Sequence, residues 1–376
     1  MQHFPDAVHY HYDQFPEKID LSAHRLLKPL SAAAAGLARY DQILQTMHNS
    51  EILLAPLRNR EAIISSRIEG TISTIDDVLN YEADIKQAKE EPGSGYNKND
   101  AQEVSLYSHA LHQAQDALKN GAPLNSFLIR QIHQSLLEHG RGAHLSPGSF
   151  KTEQNYLGTK NNEISFVPIS PALLPQGIDR FFAYINRDDS DRLIKTAIAH
   201  VEFEALHPFK DGNGRIGRML IPLMLWRFGL ISSPCFYISD YFDQNRDAYI
   251  QTMRNVSEHG AWTEWVVFFL HAMEYQAQAN LAKANNIRQL YESLKEPFRL
   301  LLNSEYYINA LDFLFTVPIF DNNTFTDERN SGISSRIATR FTQNLKGQGY
   351  LKTLREGVGR RPARYSFEPL MQILRV

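Results

Sequence analysis

HPFKDGNGRIGR, running from His207 to Arg218, is the stretch on which the fold turns. Apolar helical patterns flank it on both sides. Upstream, from Asp191, the residues Ile194, Ile198, Val201 and Ala205 recur at helical spacing and predict one buried face. Downstream, a second apolar helix is expected from about Arg215 to Phe228. Between them, Asp211-Gly212-Asn213-Gly214 is turn chemistry that tolerates positive φ. Such a turn aims several backbone N–H groups at one point, and a helix starts directly after it. That combination makes a concave anion site backed by the helix dipole. Arg215 and Arg218 add two guanidinium forks for phosphate oxygens. Asp211 brings a hard oxygen ligand, suited to magnesium shared with phosphates. His207, at the rim, has the side chain that works as a base near neutral pH.

Gly212, Gly214 and Gly217 also spell G-x-G-x-x-G. A dinucleotide fold needs a strand before that pattern and an acidic residue about twenty positions on. Here a helix precedes it, so that interpretation is set aside. No G-x-x-x-x-G-K-[ST] is present.

Working outward, the 376 residues are 43% hydrophobic and 22% charged, the balance of a folded globular chain rather than a disordered or membrane one. A soft prior of two to three domains follows from the length. Cys235 is the single cysteine and excludes an internal disulfide; a core thiol in a reducing compartment is expected. The opening residues carry no apolar run like that of a signal peptide, and LIPLMLWRFGLI is interrupted by Arg227, so a cytoplasmic protein with no membrane partner is expected.

Most other segments read as helix. Residues 21–46 are rich in Ala and Leu at helical spacing, and LAPLRNREAIISSRIE forms a second helix with Gly70 in the C-cap position. Ser73, with Asp76 three residues on, is expected to cap a third. EEPGSGYNKND (90–100) reads as a polar loop, and NSFLIRQIHQSLLEH as helix again. Residues 148–169 break the pattern: two extended runs around KNN, with Pro168 holding Val167 extended, predict a hairpin. The segment from Ala261 to Leu294 reads as one long helix or two. His9 and His11 read as a solvated pair, Lys210 as solvated, Phe209 as a core anchor, and Trp262, Trp265, Phe268 and Phe269 as core.

The C-terminus differs in charge. Residues 331–376 carry nine Lys/Arg against two Glu, while the whole chain has a net charge of −3. A helix around PFRLLLN, then YINALDFLFT, a helix opening near Ser334 or Ser335, and strands YLKTL and ARYSF around REGVGRRP have the order of a winged helix-turn-helix. Arg336, Arg340, Arg360, Arg361 and Arg364 are its candidate DNA contacts; a protein-docking role is the alternative. The expected divisions are an N-terminal helical region (1–120), a core (121–280) and the winged helix (281–376). The fold class expected is mainly α, a helical bundle with a small hairpin and this C-terminal module.

The 207–218 block resembles the signature of the Fic (Fic/Doc) family, HxFx(D/E)GNGRxxR, at every specified position. SSRIEG (65–70) resembles that family's inhibitory motif, (S/T)xxxE(G/N), through Ser65, Glu69 and Gly70. The 148–169 hairpin falls where the family has its flap. The resemblance covers roughly residues 40–275. It implies transfer of AMP from ATP, with Mg2+, to a side-chain hydroxyl of a protein. His207 would deprotonate the hydroxyl and Asp211 would hold the metal. Gly212, Asn213 and Gly214 would bind phosphate, and Arg215 and Arg218 the β- and γ-phosphates. Ser165, Phe166 and Val167 would pair with the target as an added strand. DYFDQNRDAYIQTM resembles the segment beside the adenine; Tyr249 matches one of two adjacent family tyrosines, and Ile250 departs from the second. Glu69 ends a helix, where the dipole disfavours a carboxylate by about 0.3–1 kcal/mol; exposure to water or a nearby cation would offset that, and the resemblance favours the cation, with Arg218 the candidate. Self-modification and a homodimer are left open. Two other functions compete: a DNA-associated regulator with a nucleotide-sensing core, and a hydrolase that removes AMP with Glu69 orienting water.

Overall fold

Short-range chemistry sets most helix ends. The computed structural model describes residues 4, 6–46, 48–86, 98–158, 163–188 and 190–375. A short strand β1 (Val8–His9) precedes helices α1 (Ala23–Gln45), α2 (Glu51–Ile68), α3 (Ile75–Lys86), α4 (Lys98–Lys119) and α5 (Ser126–Leu136). Strands β2 (Leu157–Gly158) and β3 (Ile164–Val167) lead to α6 (Leu174–Asn186), α7 (Arg192–Leu206) and α8 (Asn213–Arg227). Then come α9 (Ser239–Gln244), α10 (Arg246–His259) and the long α11 (Trp262–Leu302). The chain continues through α12 (Tyr307–Thr316), β4 (Ile319–Asp321), α13 (Asn322–Thr326), α14 (Glu328–Ser331) and α15 (Ser335–Gly347). It ends with β5 (Leu351–Arg355), β6 (Arg364–Phe367) and α16 (Glu368–Leu374). The architecture is mainly α, as expected.

Gly70 stops α2 with φ +93, and its N–H reaches the Arg67 carbonyl. Asp191 caps α7 through the Leu193 and Ile194 N–H groups. Several expectations need correcting. The cap of α3 is Thr74 with Asp77, bonded reciprocally, one residue later than the expected Ser73 pair. Lys98–Asp100, expected as loop, open α4, and residues 90–97 of that segment lie outside the described residues. PFRLLLN is no separate helix; α11 runs on through Pro297. The hairpin forms as β2 and β3, while its turn, 159–162, lies outside the described residues.

Two compact units emerge. The first comprises Met1–Asp41, Ile64–Thr71 and Leu106–Gln278. Its centre is α7, packed against α6 and α8. The expectation of one buried face on α7 is too modest, since Lys195, His200 and Glu202 are buried too. Each finds a partner there. Glu202 takes hydrogen bonds from Tyr10 and His11, at 2.7 and 2.8 Å. His11 is therefore a core residue, also bonded to Ser257, and not a solvated tail histidine. Trp262, Trp265 and Phe269 are core, and so is Cys235.

The second unit comprises Gln42–Ile63, Ile72–Ser105 and Ala279–Val376. Its sheet has the order β4-β6-β5, all antiparallel. Arg364, expected on a DNA-facing wing, is only 4% exposed. Its guanidinium donates to Asp321 at 2.8 and 3.0 Å and to Asp84 at 2.7 Å. A buried cation held by two carboxylates belongs to the unit's interior. Arg364→Leu is expected to cost about 3 kcal/mol, the low end for breaking a buried pair, because Arg355 still reaches Asp321. Urea unfolding monitored by circular dichroism measures it.

Candidate active site

A left-handed turn puts the key histidine in place. His207 is the C-cap of α7 with φ 45 and ψ 60, a conformation costly for a residue with a Cβ. The loop around it is held at many points. Asn155 donates to the carbonyls of His207 and Phe209, at 3.1 and 3.0 Å. Lys151 donates to the Leu206 carbonyl. Phe209 stacks on the His133 ring with centroids 3.8 Å apart. Gly148 N–H donates to His133 Nδ1, so the ring's proton sits on Nε2 and donates to the Asp211 carbonyl at 3.0 Å. Burial pushes the His133 pKa down to about 4, which matches that neutral tautomer.

The His207 Nδ1 lies 3.4 Å from the Glu204 carbonyl, which orients Nδ1–H toward that oxygen and leaves Nε2 as the proton acceptor. Burial, reinforced by the Lys151 ammonium, pushes the His207 pKa down to about 4. Burial likewise lowers Lys151 to about 7. His207 is thus neutral, the form a base requires.

Gly212, at φ 76, starts α8. Its own N–H donates to Asp211 Oδ1 at 2.7 Å, so the turn places the Asp211 carboxylate against the helix start. The Asn213 side chain turns back into the loop. Its amide exchanges two hydrogen bonds with Phe209, at 2.8 and 2.9 Å, so it shapes the loop and leaves ligand contact to the backbone. Arg215 is buried, with Nε lacking any partner among the described residues, and its Nη2 lies 3.8 Å from Asp211. The Asp211 side chain is 33% exposed and so within reach of solutes. Among the described residues no cluster of three or more His, Cys, Asp or Glu groups could hold a metal alone.

Arg218 shows the expected pairing. Its Nε donates to Ser65 Oγ at 2.8 Å, and its Nη2 to the Ser65 carbonyl and to Glu69 Oε1, at 2.9 and 2.8 Å. The arginine side chain is 2% exposed and that of Glu69 36%, so the cation is sealed while the carboxylate stays at the surface. Burial would raise the Glu69 pKa, but the Arg218 charge and hydrogen bond outweigh it, with help from Arg215 and His207, and hold it low. A Cβ on Gly214 would overlap Glu69 Oε1, so this glycine makes room for the carboxylate.

Glu69, His207, Gly214 and Arg218 line one cavity of about 810 Å³ with Tyr156, Leu157, Gly158, Ser165 and Phe166 from the hairpin and Tyr249 and Ile250 from α10; Asp211, Gly212, Asn213 and Arg215 are not among its lining residues. Val167 is not among the lining residues. Tyr249 is 3% exposed and stacks on Phe242, and its hydroxyl donates to His200 Nε2 at 2.8 Å. It forms wall, with its polar end already engaged. The hairpin has an unexpected third strand. β1 pairs in parallel with β3, Val8 opposite Phe166 and His9 opposite Val167, while β2 takes the other side. Phe166 therefore has strand neighbours on both edges, and Val167 on the β1 edge. Local pattern could not reveal β1, a two-residue strand paired more than 150 positions away. His133, Lys151, Asn155 and Glu204 were equally hidden, since each acts on the loop or cavity only through tertiary contact.

The helical core, with its glycine turn between α7 and α8 and two buried arginines on α8, agrees in class with the relatives. The Fic/DOC family N-terminal model matches residues 27–116 and the Fic/DOC family model matches residues 123–225. The chain belongs to the Fic/DOC family. It is 25% identical over 285 residues, 69% of this chain and 81% of the relative, to a protein of Aquifex aeolicus named probable protein adenylyltransferase. It is 31% identical over 104 residues to protein adenylyltransferase fic-1 of Caenorhabditis elegans, 27% of this chain but only 19% of that protein. In fold it is similar to a Fic family protein from Desulfovibrio desulfuricans, with TM-score 0.58 at 16% identity, covering 93% and 97% of the two chains. The C. elegans Fic-1 fragment (aa134–508) gives TM-score 0.53 at 19% identity, covering 68% and 72%. Among the described residues no helix is long and apolar enough to cross a membrane.

Proposed function

We propose that this chain is a protein adenylyltransferase that moves AMP from ATP to a protein hydroxyl and is held inactive by Glu69. One observation carries the proposal: a neutral His207, Gly214 in the first turn of α8 and the buried Arg218 line one cavity, with Glu69 paired to that arginine. The backbone N–H groups at the start of α8 and Arg215, with its unpartnered Nε, take the α- and β-phosphates. Arg218 takes the γ-phosphate once Glu69 withdraws. Asp211 would hold Mg2+ together with the phosphates, and the ion would neutralise charge on the departing pyrophosphate.

His207 Nε2 removes the proton of the target hydroxyl as its oxygen attacks the α-phosphorus. The bond from that phosphorus to the bridging oxygen of the β-phosphate breaks, and the protonated imidazole passes its proton to solvent. The target strand adds to the outer edge of β2, because both edges of β3 are taken. Tyr249 and Ile250 form the wall beside the adenine. Self-modification of the chain's own hydroxyls belongs to the same chemistry. The setting is the cytoplasm, consistent with a single buried thiol.

Incubation of the Glu69→Gly variant with α-labelled ATP, magnesium and a protein target tests the proposal: label on protein supports it, and label released only as free nucleotide refutes it. Asp211→Ala is expected to abolish labelling; full activity of this variant in a chelator would refute the assigned role.

In the second unit, helices α12 to α15 followed by the β5–β6 hairpin support a winged-helix reading. Arg336, Arg340 and Arg360 remain exposed there for a nucleic acid or protein partner, without Arg364. Retention on DNA that falls steeply with salt distinguishes the first kind of partner.

A further inference from the structure

Glu204 lies one turn before His207 on α7 and lines the same cavity. Its Oε1 is buried and has no hydrogen-bond partner among the described residues. The carboxyl packs on α8 at Gly217, where any Cβ would overlap it. Gly214, three residues earlier, makes the same kind of room for Glu69. Two glycines of one helix face thus admit two carboxyl groups, and the Arg218 charge acts on both. Only one of the two is bonded to that arginine. A buried carboxylate without a donor is costly; a carboxylic acid in the same place is far less so. The O–H of that acid then needs an acceptor, and no group among the described residues provides one.

We infer that Glu204 is a neutral acid in the nucleotide complex and donates its proton to the triphosphate held by Arg218, so that ATP entry consumes a proton. The inference rests on the proposed function, in which the γ-phosphate replaces Glu69 at Arg218. A carboxylate beside a triphosphate would repel it, whereas an acid adds a short O–H···O⁻ bond.

The groups around Glu204 fit this. Arg218 of α8 and Glu69 beyond α2 are its charged neighbours, and His207, just past the end of its own helix, is neutral. From α10, Tyr249, Arg246, Asp247 and Arg254 line the cavity, and Tyr156 does so from the hairpin. Burial raises the Glu204 pKa to about 7, Arg218 opposes this, and Glu69 reinforces it. A triphosphate brings more negative charge than Glu69 removes and binds the proton more firmly. Binding therefore weakens as pH rises through 7.

Calorimetry of a non-hydrolysable ATP analogue with Mg2+ tests this in the full chain carrying Glu69→Gly. Titrations at pH 6 and pH 8, in buffers of different ionisation enthalpy, count the protons. Net uptake is expected, with affinity at least about tenfold weaker at pH 8 than at pH 6: a group of pKa about 7 gives tenfold, and removing Glu69, which raises that pKa, steepens the dependence. The terminal phosphate's own ionisation is common to all variants. Glu69→Gly with Glu204→Gln keeps a donor, so its affinity persists while the extra proton and most of the pH dependence vanish. Glu204→Leu removes the donor and should bind roughly tenfold more weakly even at pH 6. Equal proton counts and equal pH profiles with and without the Glu204→Gln substitution would overturn the inference while leaving adenylyl transfer intact. No analogue binding by Glu69→Gly at any pH would overturn both.

Discussion

Glu69→Gly is expected to raise AMP transfer by roughly 5–150-fold, the range of a coupling between two competing occupants of one site. The carboxylate occupies Arg218 Nη2 at 2.8 Å, and Ser65 holds the rest of that guanidinium. While the pair stands, a triphosphate lacks its innermost anchor, and the α-phosphate is not presented to His207. Removing the side chain frees the arginine without disturbing the helix stop, because the turn is made by Gly70. ATP should bind more tightly in the same variant. Arg218→Ala should be inactive, and combining it with Glu69→Gly should restore nothing, since the phosphate contact is still absent. The pair is also releasable. Glu69 is partly exposed, so a partner that displaces this turn shifts the population by its differential affinity alone. Labelling of a bound target, and of the chain itself, measures the effect. An unchanged rate would leave Glu69 as a helix-end residue or as the water-orienting group of a hydrolase.

His207→Ala should lower transfer by about 10²–10⁴-fold, the usual contribution of a general base. ATP affinity should stay close to that of the parent. The imidazole stands outside the phosphate turn, and the loop is independently held by Asn155, Lys151 and the Phe209–His133 stack. Equal losses of affinity and turnover would place the histidine among the binding groups instead. With its pKa near 4, His207 stays neutral from pH 6 upward, so its own titration should not shape the rate there. His133→Leu offers a contrast. It leaves the base in place but loosens Asp211 and Gly148, and its loss should appear in nucleotide affinity as well as in turnover.

How much of this was legible beforehand follows the range of the interactions. Gly70 and Asp191 end or begin helices through contacts within a few residues, and each is readable from its neighbours. The 207–218 block is just as local: a turn, a helix start and two arginines one turn apart set their own geometry. The Glu69–Arg218 pair, 149 positions apart, could be anticipated only through the resemblance of SSRIEG to the family's inhibitory motif, since water would equally offset the helix dipole at Glu69. The sequence by itself therefore determined the mainly helical class and the tight glycine turn that joins α7 to α8. Tertiary structure decided the rest. It turned Asn213 inward to Phe209, drew His11 into the core to meet Glu202, and buried Arg364 between Asp84 and Asp321. It also laid β1 along β3 and left Glu204 unpartnered beside Gly217. The physical reason is common to all of these. A polar side chain removed from water must find its partner wherever the packed chain brings one, and local periodicity carries no record of that address.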